Sequence, residues 1–166
     1  INAWKGFVSF DYIRKLYREI RPYELNKGDT EEVYKAALKK VESCIENNSR
    51  GLRRLLVEIA GEFMAVKADR SRRRPVVAVL GEIYMRDNAG CNGNIANRLE
   101  NLGAEVVIGP FSEWITYSTH RFTRDSKWKN DTRGLIKSKI QGIGQEVIVD
   151  FLGGDPVQPN DALLRA

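Results

Sequence analysis

The sequence predicts an α/β protein: a Rossmann-like βαβ portion of a parallel sheet behind an N-terminal helical segment, expected to be an excerpt of a larger domain. Three observations predict it. Residues before Pro75 repeat apolar side chains at helical spacing, VVAVL and AEVVIG are short apolar runs rich in β-branched residues, and the helical stretch NIANRLENLG lies between those runs. The helical segment is expected over 1–74 and the Rossmann-like segment over 75–166. The latter is expected to continue past the C-terminus, because two secure strands are too few for an independent doubly wound sheet.

FDYIRKLYREI places Tyr12, Leu16 and Ile20 four apart, with Ile13 and Tyr17 beside them, so one face of a first helix is apolar. Pro22 ends it by disfavouring the helical state of Arg21, and Gly28 frees the turn. Asp29 and Glu32 have the spacing of a capping box for a second helix, whose stripe is Val33, Ala37, Val41 and Cys44. Ser49 is the expected cap of a third, which buries Leu52, Leu55, Leu56, Ile59, Phe63 and Val66 and turns Arg50, Arg53 and Arg54 outward. VVAVL then reads as a strand covered on both faces. The next helix buries Ile95, Leu99 and Leu102 and is stopped by Gly103 in the left-handed conformation. After the second strand, Ser112 is the expected cap of PFSEWITYSTHRF, with Ile115 and Thr119 on one face. Thr132 is the expected cap of a final helix burying Ile136, Ile140, Ile143, Val147 and Phe151, closed by Gly153 and Gly154 before the loop DPVQPND.

Composition narrows the function classes. The chain of 166 residues is 42% hydrophobic, enough for one real core, and no apolar run reaches the roughly 18–20 residues of a membrane helix. A cytoplasmic protein is therefore expected, with reduced thiols, since Cys44 and Cys91 match neither CxxC nor a zinc-ligand spacing. The net charge of +5 invites a nucleic-acid reading, but its densest run, RSRRRP at 70–75, falls where a helix stops and a strand begins. A solvated connector is the preferred reading of that run, and nucleic acid is not an expected partner.

The chemistry is expected at the carboxyl end of the first strand, where glycine permits close approach and a helix N-terminus offers free N–H donors. Gly81, Glu82, Tyr84, Arg86, Asn88 and Asn92 occupy that place and are the candidate ligand-binding residues. GEIYMRDNAGCNGN is neither GxGxxG nor GxxxxGK[ST], so a dinucleotide or P-loop site is disfavoured. Glu82 can act as an acid, a base or a hydrogen-bond anchor, or simply cap a helix or pair with Arg86. Arg86 can hold a phosphate, because guanidinium matches phosphate oxygens bidentately, or lie solvated. His120, the single histidine, has no acid or cysteine at diagnostic spacing. RPYE at 21–24 either aims Arg21 or Glu24 at a domain interface or substrate, or makes a helix-stopping turn with an internal ion pair. Glu113 and Trp114 are expected to start and pack a helix, with Trp114 also placed to line a pocket. No catalytic residue and no metal ligand is assigned.

RPYELNKGDTEEVYKAALKK, VVAVLGEIYMRDNAGCNGNIANRLENLGAEVVIGPFSEW and GDPVQPNDALLRA together resemble the 2-hydroxyacyl-CoA dehydratase superfamily. The similarity is greatest to its large CoA-substrate-specific enzyme activase and acyl-CoA dehydratase activase-related proteins. It covers most of the chain, in order. It implies a dehydratase-like module of an ATP-dependent protein, with acyl-CoA as substrate and an activase domain and further dehydratase domains as partners. In such a parent protein, an iron–sulfur cluster and ATP serve low-potential electron transfer. A cluster needs several thiolates, so none is expected within this chain, nor any other cofactor, and the chain by itself is expected to be inactive. A small anion-binding α/β domain is the alternative, followed by a basic nucleic-acid-associated module.

Overall fold

The structure, a computed structural model, describes residues 2–71, 73–129 and 131–152, with side chains as far as 148. It is mostly helical, with one small parallel sheet, which agrees with an α/β class. Helices α1 (Asn2–Ile20), α2 (Asp29–Glu46) and α3 (Leu52–Ala65) come first. Strand β1 (Val76–Val79), the short helices α4 (Ile83–Asp87) and α5 (Ile95–Asn101) and strand β2 (Glu105–Ile108) follow. The long helices α6 (Phe111–Trp128) and α7 (Thr132–Leu152) complete the described chain. Gly153, Gly154, the loop after them, the Phe151 side chain and Arg72 of the basic run lie outside the described residues.

The first three helices form as their periodicity requires. Val8, Ile13, Leu16, Tyr17 and Ile20 of α1 meet Ala37 and Val41 of α2 and Leu52, Leu56, Ile59, Ala60 and Phe63 of α3 in one core. Tyr12, Val33, Cys44, Leu55 and Val66 pack around it half-buried. Between α1 and α2, Pro22 sits in a 3-10 turn, Arg21–Tyr23. The chain leaving α3 returns beside this turn: Leu25 N–H donates to Lys67 O at 2.9 Å and Asp69 N–H to Tyr23 O at 2.8 Å. Arg50, Arg53 and Arg54 are exposed, as expected.

β1 and β2 pair in parallel, Val76 opposite Glu105 through Val79 opposite Ile108, with the two short helices in the crossover. Gly103 stops α5 at φ 96°, in the expected left-handed conformation. The expectation that β1 is covered on both faces does not hold. Val76 is 63% exposed and Leu80, just past the strand, 79%. α1 packs against β2, whereas among the described residues nothing equivalent covers the outer side of β1.

Helix starts depart from the expected caps, and at α6 the partner that wins lies far away in the sequence. The Asp29–Glu32 capping box is absent: Glu24 of the RPYE turn accepts from Gly28 N–H at 3.1 Å and Thr30 N–H at 3.0 Å. α3 is entered not through a Ser49 cap but through Asn48, Ser49 and Gly51, all at positive φ. Asp131, rather than Thr132, accepts from Gly134 N–H at 3.0 Å at the start of α7. α6 is capped from α1, as described below.

α7 also presents a different face from the one expected. Ile136, Ile140, Ile143 and Val147 are 59–67% exposed, while Gly134, Ser138 and Gln145 are buried against α6. The reason is close approach. A Cβ at Gly134 would fall 2.6 Å from Ser126 Oγ of α6. Thr119 Oγ1 accepts from Gln141 Nε2 and Gln145 Nε2, each at 3.3 Å, and Trp4 Nε1 donates to Gln145 O at 3.3 Å. Small and hydrogen-bonding residues make this contact, and the bulkier isoleucines are turned away from it.

Tyr17 lies in the core between Glu31 and Arg21, its hydroxyl 2.5 Å from Glu31 Oε2. Burial pushes its phenol up to about 12, the Glu31 hydrogen bond adding to the rise and Arg21 opposing it. A raised folded value means that the contribution is intact below pH ~10, the unfolded value, and is lost as pH climbs through the folded one. Denaturant stability should therefore fall by roughly 2–3 kcal/mol between pH 10 and 12. Tyr17→Phe should flatten that slope in chemical denaturation followed by circular dichroism.

Candidate functional site

Asp11, Arg14 and Arg18 lie at spacings of three and four along one side of α1, and Arg21, in the 3-10 turn that follows it, continues the row. That side faces the α/β half instead of water. The Asp11 carboxylate, with its side chain fully buried, accepts from Phe111 N–H at 2.8 Å and Ser112 N–H at 2.7 Å. It thereby supplies the N-cap that Ser112 was expected to provide; Ser112 instead lies inside the first turn. Arg14 bonds Asp87 at the end of α4, Asp11 at 3.3 Å and the carbonyl of Gly109 at 3.1 Å. Arg18 and Arg21 converge on Glu100 of α5 at 2.6 and 2.7 Å, and Arg21 also donates to Asn97 at 2.9 Å. Arg21 of RPYE thus reaches across to the α/β half, while Glu24 caps α2.

Beside this stripe, α1 and β2 border a cleft of about 550 Å³. Its apolar floor is Val76 and Val106–Ile108, with Gly109 and Pro110 at the end. Its charged wall holds Arg14, Lys15 and Arg18 of α1, joined by Arg70 and Arg73 from the connector. Asp11, Glu19 and Glu105 are the acids among them. Two of these are already engaged: Asp11 by the α6 N-terminus, and Glu105 by the Tyr23 hydroxyl at 2.7 Å. Glu19 pairs with Lys15 at 3.9 Å, and burial raises its carboxyl above the ordinary range, Lys15 opposing the rise. Arg14 is paired with Asp87 and Asp11, Arg18 with Glu100 and Lys15 with Glu19, so the attraction for negative charge rests chiefly on Arg70 and Arg73 at the rim, and the apolar floor suits an apolar group. Arg70 and Arg73, read from the sequence as a solvated connector, are therefore part of a lining. No local pattern in RSRRRP marks them for it; the return of the chain along Tyr23 does so.

The expected strand-end residues gather in one loop, but most of their polar groups are spent on building it. Gly81 adopts φ 139° and is exposed. Glu82 caps α4, accepting from Met85 N–H at 3.1 Å, and Tyr84 projects outward. Asn88 Oδ1 accepts from Gly90 and Cys91 N–H at 2.9 and 3.2 Å. Asn92 donates to the carbonyls of Met85 and Arg86 at 2.9 and 3.0 Å and accepts from Ile95 N–H at 3.3 Å. Arg86 is neither solvated nor open to a ligand. Its side chain is 10% exposed, donates to Pro110 O at 3.0 Å, and lies 3.5 Å from Asp87 and 3.6 Å from Glu113. It ties α4 to the β2–α6 junction. Gly109 is what lets it pass, since a Cβ there would come 2.7 Å from Arg86 Nη1 and 2.9 Å from Glu113 Oε2.

Cys44 is half-buried with its thiol 3.4 Å from Arg50 O, and Cys91 is exposed in the loop. Among the described residues, no three His, Cys, Asp or Glu side chains are grouped as a metal site, and no helix is long and apolar enough to cross a membrane. His120 is exposed on α6. Trp114 packs on Phe111, ring centroids 6.2 Å apart, and is not part of the cleft lining. No family model, curated protein or solved structure matches the chain.

Removing a cap carboxylate at a buried helix start leaves two N–H groups and one guanidinium short of a partner. Asp11→Ala should destabilise the protein by about 2–4 kcal/mol, measured by urea unfolding, and Asp11→Asn by less. Arg86→Ala should cost about 1–3 kcal/mol through the lost Pro110 and Asp87 contacts. An unchanged unfolding midpoint in either alanine variant would contradict these roles.

Proposed function

We propose that the chain is a dehydratase-like, Rossmann-like α/β module, an excerpt of a larger ATP-dependent 2-hydroxyacyl-CoA dehydratase or activase-type protein, and that its own task is to hold the acyl-CoA. The observation that carries the reading is the cleft between α1 and β2. An acyl-CoA is an anion with an apolar tail, and this cleft sets Arg70 and Arg73, together with the internally paired Arg14, Lys15 and Arg18, beside an apolar floor of Val76 and Val106–Ile108. The resemblance of the three sequence motifs points to the same ligand class independently. Exposed Val76 and Leu80 beside a two-stranded sheet support the excerpt reading, because further strands of a larger domain would cover them. On this reading the iron–sulfur cluster and the ATPase belong to other parts of the parent protein, which acts in the cytoplasm. The chain binds and positions, and catalyses nothing alone.

Isothermal titration with a short-chain acyl-CoA, CoA and inorganic phosphate tests the proposal. Affinity should fall in that order, as first the apolar tail and then most of the charge is removed. Replacing Arg70 and Arg73 together by Ala should weaken acyl-CoA binding about tenfold, roughly 1.4 kcal/mol, because both are exposed at the rim and screened by water. Replacing Arg53 and Arg54 on α3, away from the cleft, should change little. Equal losses from both pairs would reduce the binding to general charge attraction, and equal affinity for phosphate and acyl-CoA would favour a small-anion domain.

The same preparation should retain no iron after anaerobic reconstitution and hydrolyse no ATP above background. A stoichiometric [4Fe–4S] spectrum abolished by Cys91→Ser would place cluster ligation in this chain and overturn the division of labour.

A further inference from the structure

The outward face of α7 has an order that its packing among the described residues does not explain. Ile136, Ile140, Ile143 and Val147 are separated by four, three and four residues, the alternation of the two seam positions of a heptad. All four are β-branched and 59–67% exposed, so about 16 Å of helix presents a straight apolar seam to solvent. The residues flanking this seam are Lys137 and Lys139 in its first half, Gly144 and Glu146 in its second, all exposed.

We infer that this seam is an interface between two copies of the chain, with the two α7 helices antiparallel about a two-fold axis between Ile140 and Ile143. The charges choose this partner and this direction. Antiparallel heptads bring like flanking positions together, so Lys139 of each copy meets Glu146 of the other, two opposite-charge pairs by symmetry. Lys137 then falls opposite Gly144, where no like charge opposes it. A parallel arrangement would set Lys139 against Gly144 and leave Glu146 without its lysine. The seam also pairs with itself in the antiparallel register: Ile136 lies against Val147, and Ile140 against Ile143. Gly144 fits the same account, because among the described residues a Cβ there would meet nothing within 4 Å, leaving room beside the seam for a second helix.

Sedimentation equilibrium across about 1–200 µM tests the inference, with circular dichroism as the folding control. The wild type should show a reversible monomer–dimer equilibrium. Ile143→Glu, a change at an exposed position, should remain folded and be monomeric throughout. Lys139→Glu should weaken the dimer at least tenfold, and adding Glu146→Lys to it should restore most of the loss. A wild type that is monomeric at every concentration would overturn the inference and leave the seam to another partner. A dimer that survived Ile143→Glu would place the interface elsewhere. A dimer that ignored the Lys139→Glu change, or a double variant that failed to recover, would rule out the antiparallel register.

Discussion

The buried carboxylate of Asp11 is the constraint on which the arrangement of the two halves rests. It sits on α1, yet its partners are the first two N–H groups of α6, about a hundred positions later in the chain. A charged acceptor at a helix start meets both the orphan donors and the positive end of the helix dipole. Once Asp11 holds α6, Arg14 is positioned to reach Gly109 O and Asp87, and Arg86 fills the same junction from the other side. α1 is therefore a helix with two cores. Its apolar side belongs to α2 and α3, and its charged side belongs to the α/β half. The change of sequence period at residue 74 falls well after this shared element, which belongs to the first part of the chain and contacts both.

Features that depend on neighbouring residues were legible in the sequence. The apolar stripes of α1, α2 and α3, the two strands, the left-handed stop at Gly103 and the Glu82 cap each leave a pattern within a few neighbouring positions. Most other helix caps were not legible, because an expected Ser, Thr or Asp competes with carboxylates a few residues away or brought in by tertiary structure. Ser112 lost to Asp11, and the Asp29 box to Glu24. α7 shows a different limit. Periodicity identifies an apolar stripe but not what the stripe faces, and in α7 glycine, serine and glutamine made the closer fit. On α1 and the turn after it, residues 11, 14, 18 and 21 carried a pattern as regular as any apolar one, but charge at helical spacing reads by default as a wet surface.

The same distinction applies to the candidate site. The loop after β1 has the glycine, asparagine and arginine content of an anion cradle, yet Asn88, Asn92 and Arg86 turn their groups onto backbone and side chains of the protein itself. Composition shows which donors exist, while geometry decides which of them are left for a ligand. The groups available to one lie on the other side of β2, where a connector that looked like spacer brings Arg70 and Arg73 toward α1. The site was thus hidden by distance in sequence, with its members drawn from 11–23, 70–76 and 105–110.

The reach of Asp11 has a bearing on how the chain is made. On a ribosome, α1, α2 and α3 emerge with every residue of their apolar core already present, and they can collapse together. Their charged side has no such option: Asp11 and Arg14 must stay hydrated until the Gly109–Ser112 segment has been synthesised and has left the exit tunnel. Carboxylate and guanidinium tolerate that wait, where an apolar stripe of the same length would expose an adhesive surface to every other nascent chain. A face that is polar before docking and buried after it lets the first half of the protein fold early and remain unaggregated while the second half arrives.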